Sequence, residues 1–224
     1  MQLPPASMRV ANRTMFKSLI IVDDVYDEPE RMRDAALRLR YPTPPAAANY
    51  AGRNSSEKML LPDTDRMLSW VAGEPLVGAA ERAHGALRLT LAGDAGRYRV
   101  HVDVGVDWSG VLYLSHPEQC RGGTSFFRHR ATGTDHAPTT PADLARCKAK
   151  TAQEALDRIL GTDSNDAARW EPTVTVPMQF NRLVLFRPLL WHSAGDGFGD
   201  SLENGRLVQL FFLRAAPGAD AGRA

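Results

Sequence analysis

Apolar residues in this chain fall into short runs, and the period of each run predicts its element. Leu19-Ile-Ile-Val-Asp-Asp-Val25 is a branched-aliphatic run of strand type and length. Pro29 to Arg40 carries Met32, Ala36 and Leu39 at helical spacing, with Pro29 suited to a first helical turn and Asp27 placed to cap it. Asp63–Ala72 and Pro75–Ala86 read as two further short helices. Between them and the first helix, Tyr41 to Leu61 is punctuated by Pro42, Pro44, Pro45, Gly52 and Asn54 and reads as a long loop.

Farther along, the pattern changes to strand type. Arg97–Val104, Gly122–Phe127 and Gly205–Phe212 read as strands. In the last of these, Arg206, Val208, Leu210 and Phe212 share one face while Leu207, Gln209, Phe211 and Leu213 share the other. A strand apolar on both faces lies inside a sheet covered on both sides, so Arg206 is expected to be buried and paired. Pro141–Leu160 interrupts the series as a helix, with Thr140 as cap and Gly161 at its stop. The ends, 1–14 and 215–224, have the small, polar and helix-breaking composition of frayed termini.

Composition narrows the class. At 224 residues and 43% hydrophobic content the chain can bury one substantial core, and a single domain with its centre at about 88–214 is expected. The 27 basic and 26 acidic residues are interspersed and leave a net charge of +1, so nothing directs the chain to nucleic acid or an anionic membrane. No apolar run approaches the roughly 20 residues of a membrane helix. Met1-Gln-Leu-Pro-Pro5 lacks the features of a secretory signal, and Cys120 and Cys147 suggest no disulfide framework. The expectation is a cytoplasmic protein.

The candidate chemistry lies in His101-Val-Asp103 and, far downstream, His192. Alternate residues of a strand point to one side, so His101 and Asp103 can reach one metal ion together. Two imidazoles and a carboxylate form the facial triad that holds Fe(II) and leaves coordination positions open. Asp103 lies among Val102, Val104 and Val106, where a buried carboxylate needs a partner; a metal supplies one.

Around these residues the chain resembles the prolyl-4-hydroxylase-like branch of the Fe(II)/2-oxoglutarate dioxygenases. After His-x-Asp come Gly110-Val-Leu-Tyr-Leu114, Gly122-Gly-Thr-Ser-Phe-Phe127, Val176-Pro177, Asn181-Arg-Leu-Val-Leu-Phe186, His192 and Gly205-Arg-Leu-Val-Gln-Leu-Phe-Phe212, in the family's order over residues 95–214. The resemblance implies a mainly β (α+β) fold, a double-stranded β-helix or jelly roll with flanking N-terminal helices and one inserted helix. It implies His101, Asp103 and His192 as iron ligands, Arg206 and Tyr113 as the anchors of the distal carboxylate of 2-oxoglutarate, and Ser125 as a further residue of that site. Ser125, Phe127 and His129 share one face, which the resemblance turns inward.

The implied reaction consumes 2-oxoglutarate and O2, releases succinate and CO2, and hydroxylates a C–H bond of a small molecule or amino-acid derivative. His129, Arg128, Trp108 and Arg53, with Tyr50 and Asn54, are the candidates to touch that substrate. The segment 193–205 is longer than in many members and is either a cover for the site or a surface connection. The 141–160 insertion could shape the pocket or join two copies as a homodimer. Two other classes remain open: a zinc hydrolase using the same three ligands, and a jelly roll that binds a ligand without turnover.

Overall fold

The structure is a computed structural model in which residues 16–45 and 48–218 are described. In chain order its elements begin with β1 (Leu19–Val22), α1 (Pro29–Ala36), β2 (Arg53–Lys58), α2 (Thr64–Ala72), β3 (Leu76–Gly78), β4 (Ala86–Thr90) and β5 (Trp108–Tyr113). They continue with β6 (Gly123–His129), α3 (Pro141–Cys147), α4 (Ala152–Asp163), β7 (Trp170–Pro177), β8 (Leu183–Phe186), β9 (His192–Ser193) and β10 (Arg206–Ala215). A seven-stranded sheet runs β1-β8-β5-β10-β4-β2 with β3 also beside β10, and a three-stranded sheet runs β7-β6-β9. Each pair is antiparallel.

The period-two patterns sort side chains into layers. From β5, β8 and β10, the residues Val111, Tyr113, Val184, Phe186, Val208 and Leu210 point inward and meet Phe126 and Val176 of the small sheet. Their neighbours Trp108, Leu112, Leu183, Leu185, Leu207 and Phe211 point outward and are covered by α1 and α2 through Met32, Ala36, Leu68 and Ala72. A third cluster, Val100, Val102, Ile159, Trp170 and Trp191, seals the outside of the small sheet under α4. Two sheets facing each other with helices outside form a double-stranded β-helix, as the family resemblance implies. Gly123 permits the tight β6–β7 approach: at φ 154 a Cβ there would stand 1.9 Å from the Val176 carbonyl oxygen.

Several local expectations are corrected. Pro75–Ala86 is not a helix; it holds the short strand β3 and a turn into β4, because Leu76 to Gly78 pair with Leu213 to Ala215. The long loop 41–61 contains β2, which closes one edge of the large sheet against β4. The first helix stops at Ala36, and Glu28 rather than Asp27 occupies its N-cap, without a side-chain hydrogen bond. The inserted helix is two: Lys148 turns left-handed at φ 51 and ends α3, then the Thr151 side chain accepts from the Glu154 N–H to start α4, which continues through Gly161. Of the expected frayed ends, 1–14 and 219–224 lie outside the described residues, while Ala215 closes β10. Among the described residues no helix is long and apolar enough to cross a membrane.

One buried side chain ties the N-terminal segment to the sheets. Asn181 adopts φ 63, and its Oδ1 accepts from the Tyr26 N–H while its Nδ2 donates to the Tyr26 carbonyl, both at 2.9 Å. Asn tolerates this left-handed conformation better than alanine does. Asn181→Ala should therefore lower stability by about 2 kcal/mol or more, by stranding two backbone groups and straining the turn. Denaturant unfolding measures this; an unchanged midpoint would show that the clasp contributes nothing.

Candidate metal centre

His101 and Asp103 lie on an extended segment before β5, and His192 begins β9. Reciprocal backbone bonds join the two imidazole-bearing residues, from His101 N–H to His192 O at 2.9 Å and from His192 N–H to His101 O at 3.0 Å. The segment is an isolated bridge rather than the regular strand expected from its pattern. Alternation persists because the backbone stays extended: Val100 and Val102 enter the outer cluster while His101 and Asp103 face the interior. A further bond from Asp103 N–H to the Pro188 carbonyl, 2.9 Å, fixes the position of the carboxylate.

One donor atom from each of the three side chains lies within 4.8 Å of the others. His192 Nε2 is 3.4 Å from Asp103 Oδ2, and the imidazole centroids are 4.4 Å apart. Each ring has its Nδ1 beside a backbone carbonyl, His101 at 3.2 Å from Arg99 O and His192 at 2.8 Å from Leu190 O. A proton on Nδ1 satisfies those carbonyls and leaves both Nε2 atoms as lone-pair donors, the arrangement that orients metal-bound histidines. The Ser109 hydroxyl donates to Asp103 Oδ2 at 2.7 Å.

Electrostatics favour the same state. Burial, reinforced by the neighbouring His192, pushes the His101 imidazole down to about 3. For Asp103 burial acts upward, but its polar neighbours His192, His101 and the Ser109 hydroxyl outweigh it and hold the carboxyl well below the usual range. A neutral imidazole at His101 and an ionised carboxylate are the forms that bind a divalent cation. The donor set therefore fits a metal of the kind held by two histidines and one carboxylate.

These residues open into a cavity of about 490 Å³ between the sheets. Arg206, at the start of β10, lines it and is 1% exposed. Its Nε and Nη2 are buried with no hydrogen-bond partner among the described residues. Burial pushes this guanidinium below the ordinary arginine range, with Tyr113 and Cys120 opposing. A buried cation in this condition is costly unless an anion joins it. Its guanidinium carbon is 5.8 Å from the Tyr113 ring centroid, and the Tyr113 hydroxyl shares a 2.7 Å hydrogen bond with Thr124 Oγ1.

Strand parity separates the other candidates. On β6 the inward residues are Thr124 and Phe126, so Ser125 faces away, its hydroxyl bonded to Thr175 Oγ1 at 2.9 Å. Ser125, Phe127 and His129 do share a face, but it is the outer one, which corrects the inward orientation expected for them. His129 is buried between Thr132 and Asp163, each at 2.9 Å, beside the Trp170 ring. Trp108 alternates with Ser109 and points outward, its indole N–H donating to Glu74 at 2.5 Å. Arg128 lies half-exposed near Glu171, 3.9 Å away. Arg53 pairs with Leu89, on the β4 face opposite the cavity.

Tyr50 does line the cavity, its ring centroid 4.3 Å from that of His101. The segment after His192 forms another wall: Ser193 to Gly197 line it, Asp196 pairs with Arg99 at 2.8 Å, and Phe198 enters the inner core. Ser109, Thr124 and Arg88 are cavity residues absent from the sequence-based list. The alternation of Ala86-Leu-Arg-Leu-Thr90 carries the signal for Arg88, which is hidden when the preceding segment is read as a helix.

Because Ser109 aims the carboxylate, Ser109→Ala should weaken divalent-metal binding by about tenfold or more, within the usual effect of removing a partner of a metal ligand. Competition against a chelator with Mn(II) reads this directly. Equal affinity in both proteins would exclude Ser109 from the centre.

The family model DUF6445, described as a family of unknown function, matches residues 101–213. Among solved structures the chain is similar to HygX from Streptomyces hygroscopicus, crystallised with nickel, 2-oxoglutarate and hygromycin B. The likeness is 15% identity and a TM-score of 0.52, over 89% of this chain and 84% of HygX. It is also similar to SnoK, a non-heme alpha ketoglutarate dependent carbocyclase from nogalamycin biosynthesis, at 13% identity and a TM-score of 0.50, over 89% of this chain and 80% of SnoK. At such identities the likeness is one of fold, and it agrees with the double-stranded β-helix described above. No curated protein matches the sequence. His101, Asp103, His192 and Arg206 all fall within the matched stretch, and the chain belongs to the DUF6445 family.

Proposed function

We propose that this chain is a mononuclear non-haem Fe(II)- and 2-oxoglutarate-dependent oxygenase acting on a C–H bond of a small molecule. The observation that carries this reading is one cavity holding both a clustered His101/Asp103/His192 donor set and a buried Arg206 whose fork lacks an anion. A hydrolytic zinc centre would use the three donors but would leave Arg206 without a task. The two similar folds support the choice of co-substrate, since one was crystallised with 2-oxoglutarate and the other is called alpha ketoglutarate dependent.

In this reading His101, Asp103 and His192, whose donor atoms cluster at the cavity, would hold Fe(II). Bound Fe(II) with 2-oxoglutarate supplies O2 activation coupled to loss of CO2 and oxidation of a C–H bond. Arg206 receives the distal carboxylate of 2-oxoglutarate through its planar fork, and the Tyr113–Thr124 hydroxyl pair lies beside it. Both Nδ1 contacts and the Ser109 hydroxyl keep the donor atoms aimed, so little reorganisation accompanies metal uptake. Hydroxylation of an amino-acid-like substrate, as in the prolyl-4-hydroxylase-like branch, is the finer form of the proposal.

Succinate formation from 2-oxoglutarate in the presence of Fe(II) and O2 tests it. Asp103→Ala should abolish turnover, and Arg206→Gln should raise the KM for 2-oxoglutarate by about tenfold to a hundredfold, the scale of a lost charge-assisted fork. Full turnover in the first variant, or an unchanged KM in the second, would remove that residue from its role.

A further inference from the structure

A second arginine enters the cavity two register steps from the first. β4 pairs with β10 so that Arg206 opposes Thr90 and Arg88 opposes Val208, which puts Arg88 on the inner face, about 7 Å along the strand from Arg206. Arg88 is only partly buried, and its exposed part lines the cavity. Its Nε donates to Asn54 Oδ1 at 2.7 Å, and the Tyr50 ring stands 5.7 Å from its guanidinium carbon. The Nε bond occupies one edge of the fork and leaves the terminal nitrogens to the cavity.

Among the described residues no carboxylate forms an ion pair with Arg88. Its fellow cavity arginine Arg99 is matched by Asp196 at 2.8 Å. Asp103 faces both imidazoles and Ser109, and in the proposed function it serves the metal. With a divalent ion bound, the positive charge of the ion with Arg82, Arg88, Arg99 and Arg206 exceeds what Asp94, Asp103, Asp196 and one dicarboxylate neutralise. Guanidinium forks fixed on one edge and open on the other suit a planar oxyanion.

We propose that Arg88, held by Asn54 and flanked by Tyr50, is a second carboxylate-recognising subsite of this cavity, separate from Arg206. It rests on the proposed function for the identity of the first carboxylate only. The carboxylate it takes comes from one of two sources: the 2-oxo-acid end of the co-substrate, or an acid group on the substrate that is oxidised. In the second case the substrate is a carboxylic acid with an apolar body, because Val111, Phe186, Leu210 and Phe212 line the same cavity.

Isothermal titration of the anaerobic Mn(II)-loaded protein separates the sources. One arm titrates 2-oxoglutarate into wild type, Arg88→Gln and Arg88→Lys; the other titrates hexanoate and hexanamide into the same proteins, with 2-oxoglutarate at saturation where it binds. Loss of 2-oxoglutarate affinity in Arg88→Gln by about tenfold or more, with partial recovery in Arg88→Lys, assigns the subsite to the co-substrate. Unchanged 2-oxoglutarate affinity, with hexanoate binding the wild type, hexanamide not binding, and hexanoate lost in Arg88→Gln, assigns it to a second acid. The inference is overturned if 2-oxoglutarate affinity does not depend on Arg88 and hexanoate either fails to bind or binds wild type and Arg88→Gln alike. Failure of wild type to bind 2-oxoglutarate would instead count against the proposed function, and the hexanoate arm would still decide the role of Arg88.

Discussion

β10 is paired along both edges, with β4 and β3 on one side and β5 on the other, and it is covered on both faces. Its residues up to Leu213 are therefore committed to layers: Leu207, Phe211 and Leu213 to the helix-covered face, Val208 and Leu210 to the space between the sheets. The inner series begins with an arginine rather than another aliphatic residue, which puts a buried cation in the cavity wall. A guanidinium at that place is buried and forms no ion pair with an acidic side chain among the described residues, so the fold carries a built-in demand for an anion.

Opposite that demand, two distant parts of the chain are brought together by their backbones. The reciprocal bonds between His101 and His192 hold their backbones side by side, so that the two imidazoles stand 4.4 Å apart, and strand alternation adds Asp103 to the same side. The carbonyls of Arg99 and Leu190 then settle which ring nitrogen is left for a metal. The centre is thus assembled largely by hydrogen bonds that would form in any extended pair, and the specific chemistry needs only three side chains in the right register.

Parity made much of this legible and also set its limits. The sheet-forming runs, the double coverage of β10 and the pairing of His101 with Asp103 follow from which residues alternate and which are apolar, while His192 joins them through the family resemblance. What alternation cannot supply is the absolute side: Ser125, Phe127 and His129 share a face as expected, yet that face is the outer one, and Thr124 is the residue that enters the cavity. Trp108 and Ser109 exchange roles for the same reason. β2 and β3 were hidden because short edge strands of polar or mixed composition take their stability from pairing with β4 and β10, partners that local pattern does not reveal. Arg88 was lost with them, since its inward direction depends on its register against Val208.

The central claim is that the triad and Arg206 together hold iron and 2-oxoglutarate in one cavity. Anaerobic addition of Fe(II) and then 2-oxoglutarate, followed in the visible range, tests it most directly. A weak metal-to-ligand charge-transfer band that grows with 2-oxoglutarate and saturates in step with bound iron is the predicted result. Bound iron with no such band at any 2-oxoglutarate concentration would contradict the account.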